Sequence, residues 1–376
     1  SDASGRYHSN WLNMMYPRLK LARNLLKDDG VISIHIDEHE YSNLEKLCNE
    51  VFGEENNLGT IIWDKRNPKG KVGGVAQQHE YLLFFCKNKK TFVEGDFFYK
   101  KKENANLILK KAEEFIKKEN GINESSRQLF KSWINSKGKN FSGGEKAYNQ
   151  IDDNGTVFQA VSMAAPDKPE TRSHRPLKHP ITGKNCPVPE KGWRFPDPTM
   201  DKLLDEDKIV FGKDENTQPR QKYFLKDNLT EAVSSLLYFG GSDNALSLPF
   251  DNPKPVDVIR KTIDSVCFEN DITLDFFSGS ASTAHAVMAL NAEDKGKRKH
   301  IQVQLPEPTD EKSEAFKVGY KKITDIGKER IRRAGQKIIE EHPDKAKDLD
   351  LGFKVFKLDS SNIKAWSPEA ENLEQN

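Results

Sequence analysis

Asp275-Phe276-Phe277-Ser278-Gly279-Ser280-Ala281-Ser282-Thr283 puts an acid, two aromatic rings and a run of small side chains at one point of a 376-residue chain. The run lies between an apolar, β-branched stretch at 272–276 and a helical pattern that ends near Leu290. Small residues at such a turn let a ligand approach the backbone, and the N–H groups that open a helix attract anionic groups. The chemistry suggested is ligand binding rather than covalent catalysis. No Gly-Lys-Ser/Thr follows, so the turn is not a phosphate loop, and it is not the Gly-x-Ser-x-Gly of a nucleophile elbow. Taken alone, it reads equally as a tight strand-to-helix turn with no ligand.

A second group of candidates is cationic. Lys65 and Arg66 precede Asn67-Pro68-Lys69-Gly70-Lys71-Val72-Gly73-Gly74, a basic loop rich in glycine. Lys65, Arg66, Lys69 and Lys71 are the residues best suited to the phosphates of a nucleic acid, an attraction that weakens with salt. Trp63 reads as core rather than as a base-stacking ring. His174, His179 and Cys186 match no zinc spacing, and no metal is expected. His35 and His39 bracket Asp37-Glu38 and leave an acid–base role open. Met14 and Met15 sit on an apolar helix face and read as core.

The elements that must position these residues follow from periodicity. Apolar residues at helical spacing predict helices over about 10–27 and 40–52, with β-branched and aromatic runs predicting strands at 31–36, 60–63 and 81–85. Their alternation favours a largely parallel sheet. Residues 87–146 carry 15 Lys/Arg against 8 Asp/Glu, with helices expected at 104–119 and 124–136. The stretch to about 225 has few periodic signals and reads as an inserted module. Regular patterning returns with a helix at 255–266, strands at 272–276 and 300–305, a basic helical stretch after Glu311 and a last strand at 353–356. Net charge is +1, and the four cysteines lie far apart with no Cys-x-x-Cys pair. That excludes a disulfide framework, while the absence of a spanning apolar run or a signal-peptide pattern leads us to expect a cytoplasmic chain with no membrane partner.

The turn resembles the D-x-F-x-G-S-G-T-T segment of DNA amino-methyltransferases that use S-adenosylmethionine. Among these it is most similar to the β-class adenine-N6 enzymes that form the modification (Mod) subunits of type III restriction–modification systems. Phe250-Asp251-Asn252-Pro253-Lys254-Pro255 resembles the family's N-P-K-P segment, and Ile301-Gln302-Val303-Gln304-Leu305-Pro306-Glu307 its second cofactor strand. Tyr7-His8-Ser9-Asn10-Trp11 and Asp29-Gly30-Val31-Ile32 look like the segments that follow the catalytic motif. The stretch 350–366 looks like the end of the methyltransferase region.

The resemblance implies a Rossmann-like α/β methyltransferase sheet, circularly permuted, with an inserted target-recognition domain and a helical C-terminal extension. The corresponding boundaries are 1–92 for the target-amine half, 93–235 for the insert, 236–309 for the cofactor half and 310–376 for the extension. It implies methyl transfer from S-adenosylmethionine to the N6 amine of adenine in double-stranded DNA, a Mod homodimer and a restriction (Res) subunit as partner. Asp275, Phe276, Phe277, Ser278, Gly279, Ser280 and Thr283 would line the cofactor site. Lys254 and Pro255 would lie near the methionine end, and Gln304 near the ribose.

Three departures shape the expectations. Ala281 replaces a usual glycine and is expected to avoid positive φ, where a methyl group is costly. Gln304 replaces a usual acid, which weakens cofactor binding without abolishing it, Glu307 assisting. The family's catalytic D/N/S-P-P-Y/F occurs nowhere in the chain. Its acid and proline carbonyl orient the exocyclic amine of a flipped base. It is expected upstream of Ser1 in a longer protein, and no catalytic residue is assigned within the chain. A cytosine-N4 enzyme, a catalytically incomplete DNA- and cofactor-binding fragment and a nicotinamide oxidoreductase are the alternatives. The last lacks its Gly-x-Gly-x-x-Gly.

Overall fold

Met15, Leu19 and Ala22 stand three or four residues apart, and in the computed structural model they form the buried stripe of helix α1, Ser9–Leu25. The structure describes residues 8–67, 73–94, 98–241, 246–250 and 253–358. The chain divides into two units, one of residues 1–62 and 81–237, the other of residues 63–80 and 238–376.

In the first unit, α1 is followed by strand β1 (Val31–Ile36), helix α2 (Tyr41–Phe52), and strands β2 (Asn57–Asp64) and β3 (His79–Cys86). Helix α2 buries Leu44, Leu47, Cys48 and Phe52. The sheet order is β1-β3-β2-β10, with β10 at Leu236–Tyr238. The far ends of β2, β3 and β10, from Trp63, up to Glu80 and at Tyr238, belong to the second unit. The largely parallel arrangement expected here is not found: β1 and β3 run antiparallel, from Val31 opposite Cys86 to Ile36 opposite Tyr81. The reason is the connection. Among the described residues no helix lies between β2 and β3, and a parallel neighbour requires a crossover of a dozen or more residues, usually helical.

In the same unit, the stretch after β3 comprises α3 (Lys89–Glu94), β4 (Tyr99–Lys101), α4 (Ala105–Lys118), α5 (Glu124–Ser136), α6 (Gly143–Lys146), β5 (Gln150–Ile151), β6 (Val157–Ser162), α7 (Asp197–Asp205), β7 (Ile209–Val210), β8 (Arg220–Phe224) and β9 (Thr230–Ala232). Strands β5, β6, β8 and β7 make an antiparallel sheet in that order, and β4 pairs with β9. Ile108, Phe130, Ile134, Ile151 and Leu225 close one apolar cluster, and Met163, Trp193, Met200 and Ile209 another.

The second unit carries α8 (Val256–Val266), β11 (Ile272–Asp275), α9 (Ser282–Asp294), β12 (Lys299–Gln302), α10 (Glu314–Lys317) and α11 (Ile323–Glu341). The expected strand–helix–strand unit is present, with β11 and β12 parallel and Asp275 opposite Gln302. Helix α9 buries residues on several faces, Ala284, Ala286, Val287, Met288 and Leu290 among them, and a helix of that kind must be covered on more than one side. Ala286, Val287 and Leu290 pack with Ile263 of α8, while Ala284, Met288 and Ala292 pack with Ile331, Ala334 and Ile338 of α11. The strand expected at 353–356 does not form. Phe353 instead packs against the α9–α11 cluster, with the Arg332 guanidinium over its ring. No helix among the described residues is long and apolar enough to cross a membrane.

Helix α11 passes closest to the 275–283 turn at Gly327. A Cβ there would stand 3.4 Å from the Gly279 carbonyl oxygen and 3.5 Å from the Ala281 Cβ. These are ordinary contacts, so one methyl fits and a larger group does not. Gly327→Ala is therefore expected to stabilise the protein by up to about 1 kcal/mol through helix propensity. Gly327→Leu is expected to lose about 1–3 kcal/mol by overpacking. Urea unfolding of the two variants checks both signs.

Candidate functional site

Strand β11 ends at Asp275, and its carboxylate ties the turn together. Oδ1 accepts the Phe277 N–H at 3.1 Å, and Oδ2 accepts the Thr283 hydroxyl at 2.6 Å. The end of the strand and the first turn of α9 are thus joined by one side chain. The neighbouring strand adds two ties. Val303 N donates to the Asp275 carbonyl at 2.8 Å, and Ser278 N donates to the Val303 carbonyl at 3.2 Å. Inside the turn, Ala281 N donates to the Ser278 carbonyl at 2.7 Å. Gly279 sits at φ +49° with the Phe250 ring 3.4 Å from where its Cβ would be, so it supplies both the backbone angle and the room. No side chain caps the N-terminus of α9. Phe277 is half-exposed beside Phe276, their ring centroids 5.3 Å apart.

Asp275, Phe276, Phe277, Ser278, Gly279, Ser280, Thr283 and Gln304 therefore come together. Gln304 is occupied: its Oε1 accepts the Gly279 N–H at 2.8 Å and its amide donates to the Leu305 carbonyl. The amide that stands in for an acid serves the turn itself. Ala281 departs from expectation, with φ +62° and ψ +34°. The left-handed region costs an alanine about 1 kcal/mol, and the turn enforces it because the Ala281 N–H must reach Ser278. The methyl is buried and finds space against Gly327.

Lys254 and Pro255 follow Phe250, and Pro255 caps α8. The Lys254 ammonium is bonded to Glu80, whose other oxygen accepts Lys65 at 2.8 Å. Both lysines lie over the Trp63 ring, 5.7 Å (Lys65) and 5.5 Å (Lys254) from its centroid. Trp63 is buried and donates to the Phe239 carbonyl at 2.8 Å. Burial alone would push the Glu80 carboxyl up, but hydrogen bonds from Lys254 and Lys65 outweigh it and hold the group below the usual range. Arg66 adopts φ +50°, its N–H on Asp64, and its guanidinium lies 5.4 Å from the centroid of the exposed Tyr238 ring. Lys69, Lys71, Asp251, Asn252, Tyr7 and residues 359–366 lie outside the described residues.

Glu80, Tyr238 and Gly327 were not singled out by sequence reasoning. For Glu80 the available signal was a lone acid at the start of an otherwise apolar strand; the others carried none. Elsewhere, both His179 ring nitrogens meet backbone groups, Nε2 at the Gly212 carbonyl and Nδ1 at the Ile181 and Thr182 N–H groups. Asp37, Glu38 and His39 bring three ligand atoms within 4.8 Å of one another at the surface end of β1.

A family model described as DNA methylase, of the N6/N4 type, matches residues 2–303. The chain belongs to the DNA methylase family. With membership goes the Rossmann-like α/β methyltransferase fold that the turn and its flanking elements pointed to. The Mod subunit of the type III restriction–modification enzyme EcoP15I from Escherichia coli is 37% identical over 360 residues, which are 93% of this chain and 53% of that subunit. The Mod subunit of StyLTI from Salmonella typhimurium LT2 is 31% identical over 370 residues, 93% of this chain and 49% of the relative. The chain thus spans about half the length of these relatives. A DNA modification methylase from Thermus thermophilus, solved in complex with S-adenosyl-L-methionine, covers 89% of this chain and 79% of its own, at 11% identity and a TM-score of 0.35. That likeness is too low to bear on the site.

Two outcomes follow from the geometry. Ala281→Gly removes the left-handed cost but also a buried methyl and some unfolded-state restriction, so stability is expected to stay within about 1 kcal/mol. Ala281→Val, β-branched and buried against Gly327, is expected to lose about 2 kcal/mol or more in urea unfolding. For Glu80 the depressed folded pKa means that its stabilisation is present above the unfolded value, about 4.3, and lost as pH falls through the folded one. The stability difference between the native chain and Glu80→Gln is therefore expected to shrink on acidification below that value. A difference that stays constant with pH contradicts the pairing.

Proposed function

We propose that this chain is the methyltransferase region of a type III modification subunit, which methylates the N6 amine of adenine in double-stranded DNA. The single observation that carries this reading is the Asp275-clamped turn between two parallel strands, in a chain that matches the EcoP15I Mod subunit over 93% of its length. S-adenosyl-L-methionine, when bound, supplies a methyl group activated by the sulfonium. The residues present fit it. Asp275 is already oriented by Phe277 N–H and Thr283 hydroxyl, so polar groups of a ligand meet a carboxylate that need not reorganise. The uncapped N-terminus of α9 suits an anionic group such as the methionine carboxylate. Phe277 offers half-exposed apolar surface, and Ser278, Gly279 and Ser280 allow close approach of the backbone.

The DNA side of the reading rests on Lys65 and Arg66, with Lys69 and Lys71 in the same segment. Phosphate contacts of this kind set register and orientation and leave sequence readout to other side chains. The target base must leave the stack before its amine can meet the methyl group, and alignment of the two then supplies most of the rate. The target-recognition role is proposed for residues 93–235, the target-amine half for 1–92, the cofactor half for 236–309 and an extension for 310–376. A Mod homodimer, a restriction (Res) subunit and a cytoplasmic setting complete the reading.

Since Asp-Pro-Pro-Tyr occurs nowhere in these 376 residues, the chain by itself is expected to bind S-adenosylmethionine and duplex DNA without transferring the methyl group. A polypeptide that also carries such a loop is expected to convert tritiated S-adenosylmethionine and duplex DNA into N6-methyladenine. Asp275→Asn is expected to weaken cofactor binding at least about tenfold, the scale of one charge-assisted contact. Equilibrium dialysis and nucleoside analysis of the product read both. Recovery of N4-methylcytosine would replace the adenine assignment, and a chain that does not bind the cofactor would end the reading.

A further inference from the structure

Glu80 begins β3 with its side chain 13% exposed, and its two oxygens serve two lysines distant in sequence. Lys65 lies 15 residues before it and Lys254 follows it by 174. Each lysine is about 40% exposed, and each ammonium also faces the buried Trp63 ring. The Phe239 carbonyl fixes that ring through its N–H. Two cations held over one ring repel each other, and an exposed lysine stem has ample rotamer freedom. The shared carboxylate answers both problems: it offsets the repulsion and gives each ammonium one direction. A simple surface ion pair would do little here, since exposed pairs are worth little. This carboxylate is mostly buried, and all its named partners belong to the unit that carries the 275–283 turn.

We propose that Glu80 is a positioning residue for Lys254, holding its ammonium against Trp63 with Lys65 as the second arm of the same bridge. This rests on the reading that Lys254 serves the methionine end of the cofactor. The neutral amide of glutamine can accept a hydrogen bond from one lysine but cannot offset the repulsion between two. Lys254 then loses its fixed direction, and the ligand must order it on binding.

The test is a double-mutant cycle on the full chain, read by calorimetric titration with S-adenosylmethionine. Glu80→Gln and Lys254→Met are each expected to weaken binding about tenfold, the scale of a hydrogen bond to a charged group. Glu80→Gln/Lys254→Met is expected to be no weaker than Lys254→Met alone, because Glu80 acts through that lysine. A general loss of structure would instead add to the Lys254 effect and lower the melting temperature, which is recorded for each variant. Glu80→Asp, which keeps the charge one methylene short of its partners, is expected to fall between native and Glu80→Gln. It replaces Glu80→Gln in the cycle if that variant does not fold. Additive losses, or a Glu80→Gln chain that binds as well as or better than the native one, overturn the proposal. No effect of Lys254→Met overturns it as well, while the loss in Asp275→Asn still stands as the separate test of the cofactor reading.

Discussion

One carboxylate organises the site. Asp275 closes the last residue of β11 onto the first turn of α9 through the Phe277 N–H and the Thr283 hydroxyl. Between those anchors the chain must reverse within a few residues. The reversal explains the left-handed conformations at Gly279 and Ala281, the Ala281-to-Ser278 hydrogen bond and the uncapped helix start. A charge-assisted pair of hydrogen bonds to a fixed carboxylate is among the stronger local ties available to a loop. It also fixes the direction of the Asp275 carboxylate through both of its oxygens.

Packing around the turn follows from that reversal. The Ala281 methyl points where α11 passes, at Gly327, where there is room for one methyl and no more. Phe250 covers Gly279. Helix α9, buried along most of its length, is held between α8 and α11, behind a turn whose front carries Phe277. The cationic bridge at Glu80 is a second organised feature of the same unit. Its energetics differ from those of the turn, since it balances desolvation of one acid against two lysines rather than satisfying backbone groups.

Residues 93–235 have a different character. Their four-stranded sheet is made of strands of two to six residues, and apart from the β-branched pair Ile209-Val210 these are too short for alternation to rise above the noise of a polar sequence. Helices α4 and α5 were legible because fourteen and thirteen residues give several turns of apolar spacing. The antiparallel pairing of β1 with β3 was not legible for another reason. Strand composition carries no direction, and the alternation of elements does not tell which strands become neighbours: β3 lies between β1 and β2 and runs against β1. Residues 353–356 had the composition of a strand, but composition needs a partner edge. There Phe353 finds the α9–α11 cluster instead.

By itself the sequence determined the elements with long periodic patterns, the strand–turn–helix at 272–290 and the gathering of Asp275, Gly279, Ser280 and Thr283 in one loop. Those are local matters, governed by side-chain spacing and by the small residues that a tight turn admits. Tertiary structure decided what is not local. It put Gln304 on the Gly279 N–H, turned Ala281 left-handed against Gly327, and brought Lys65 and Lys254 onto Glu80. Each of these depends on contacts between residues far apart in the chain, or on burial that changes the cost of a charge, and neither quantity is written in the order of the amino acids.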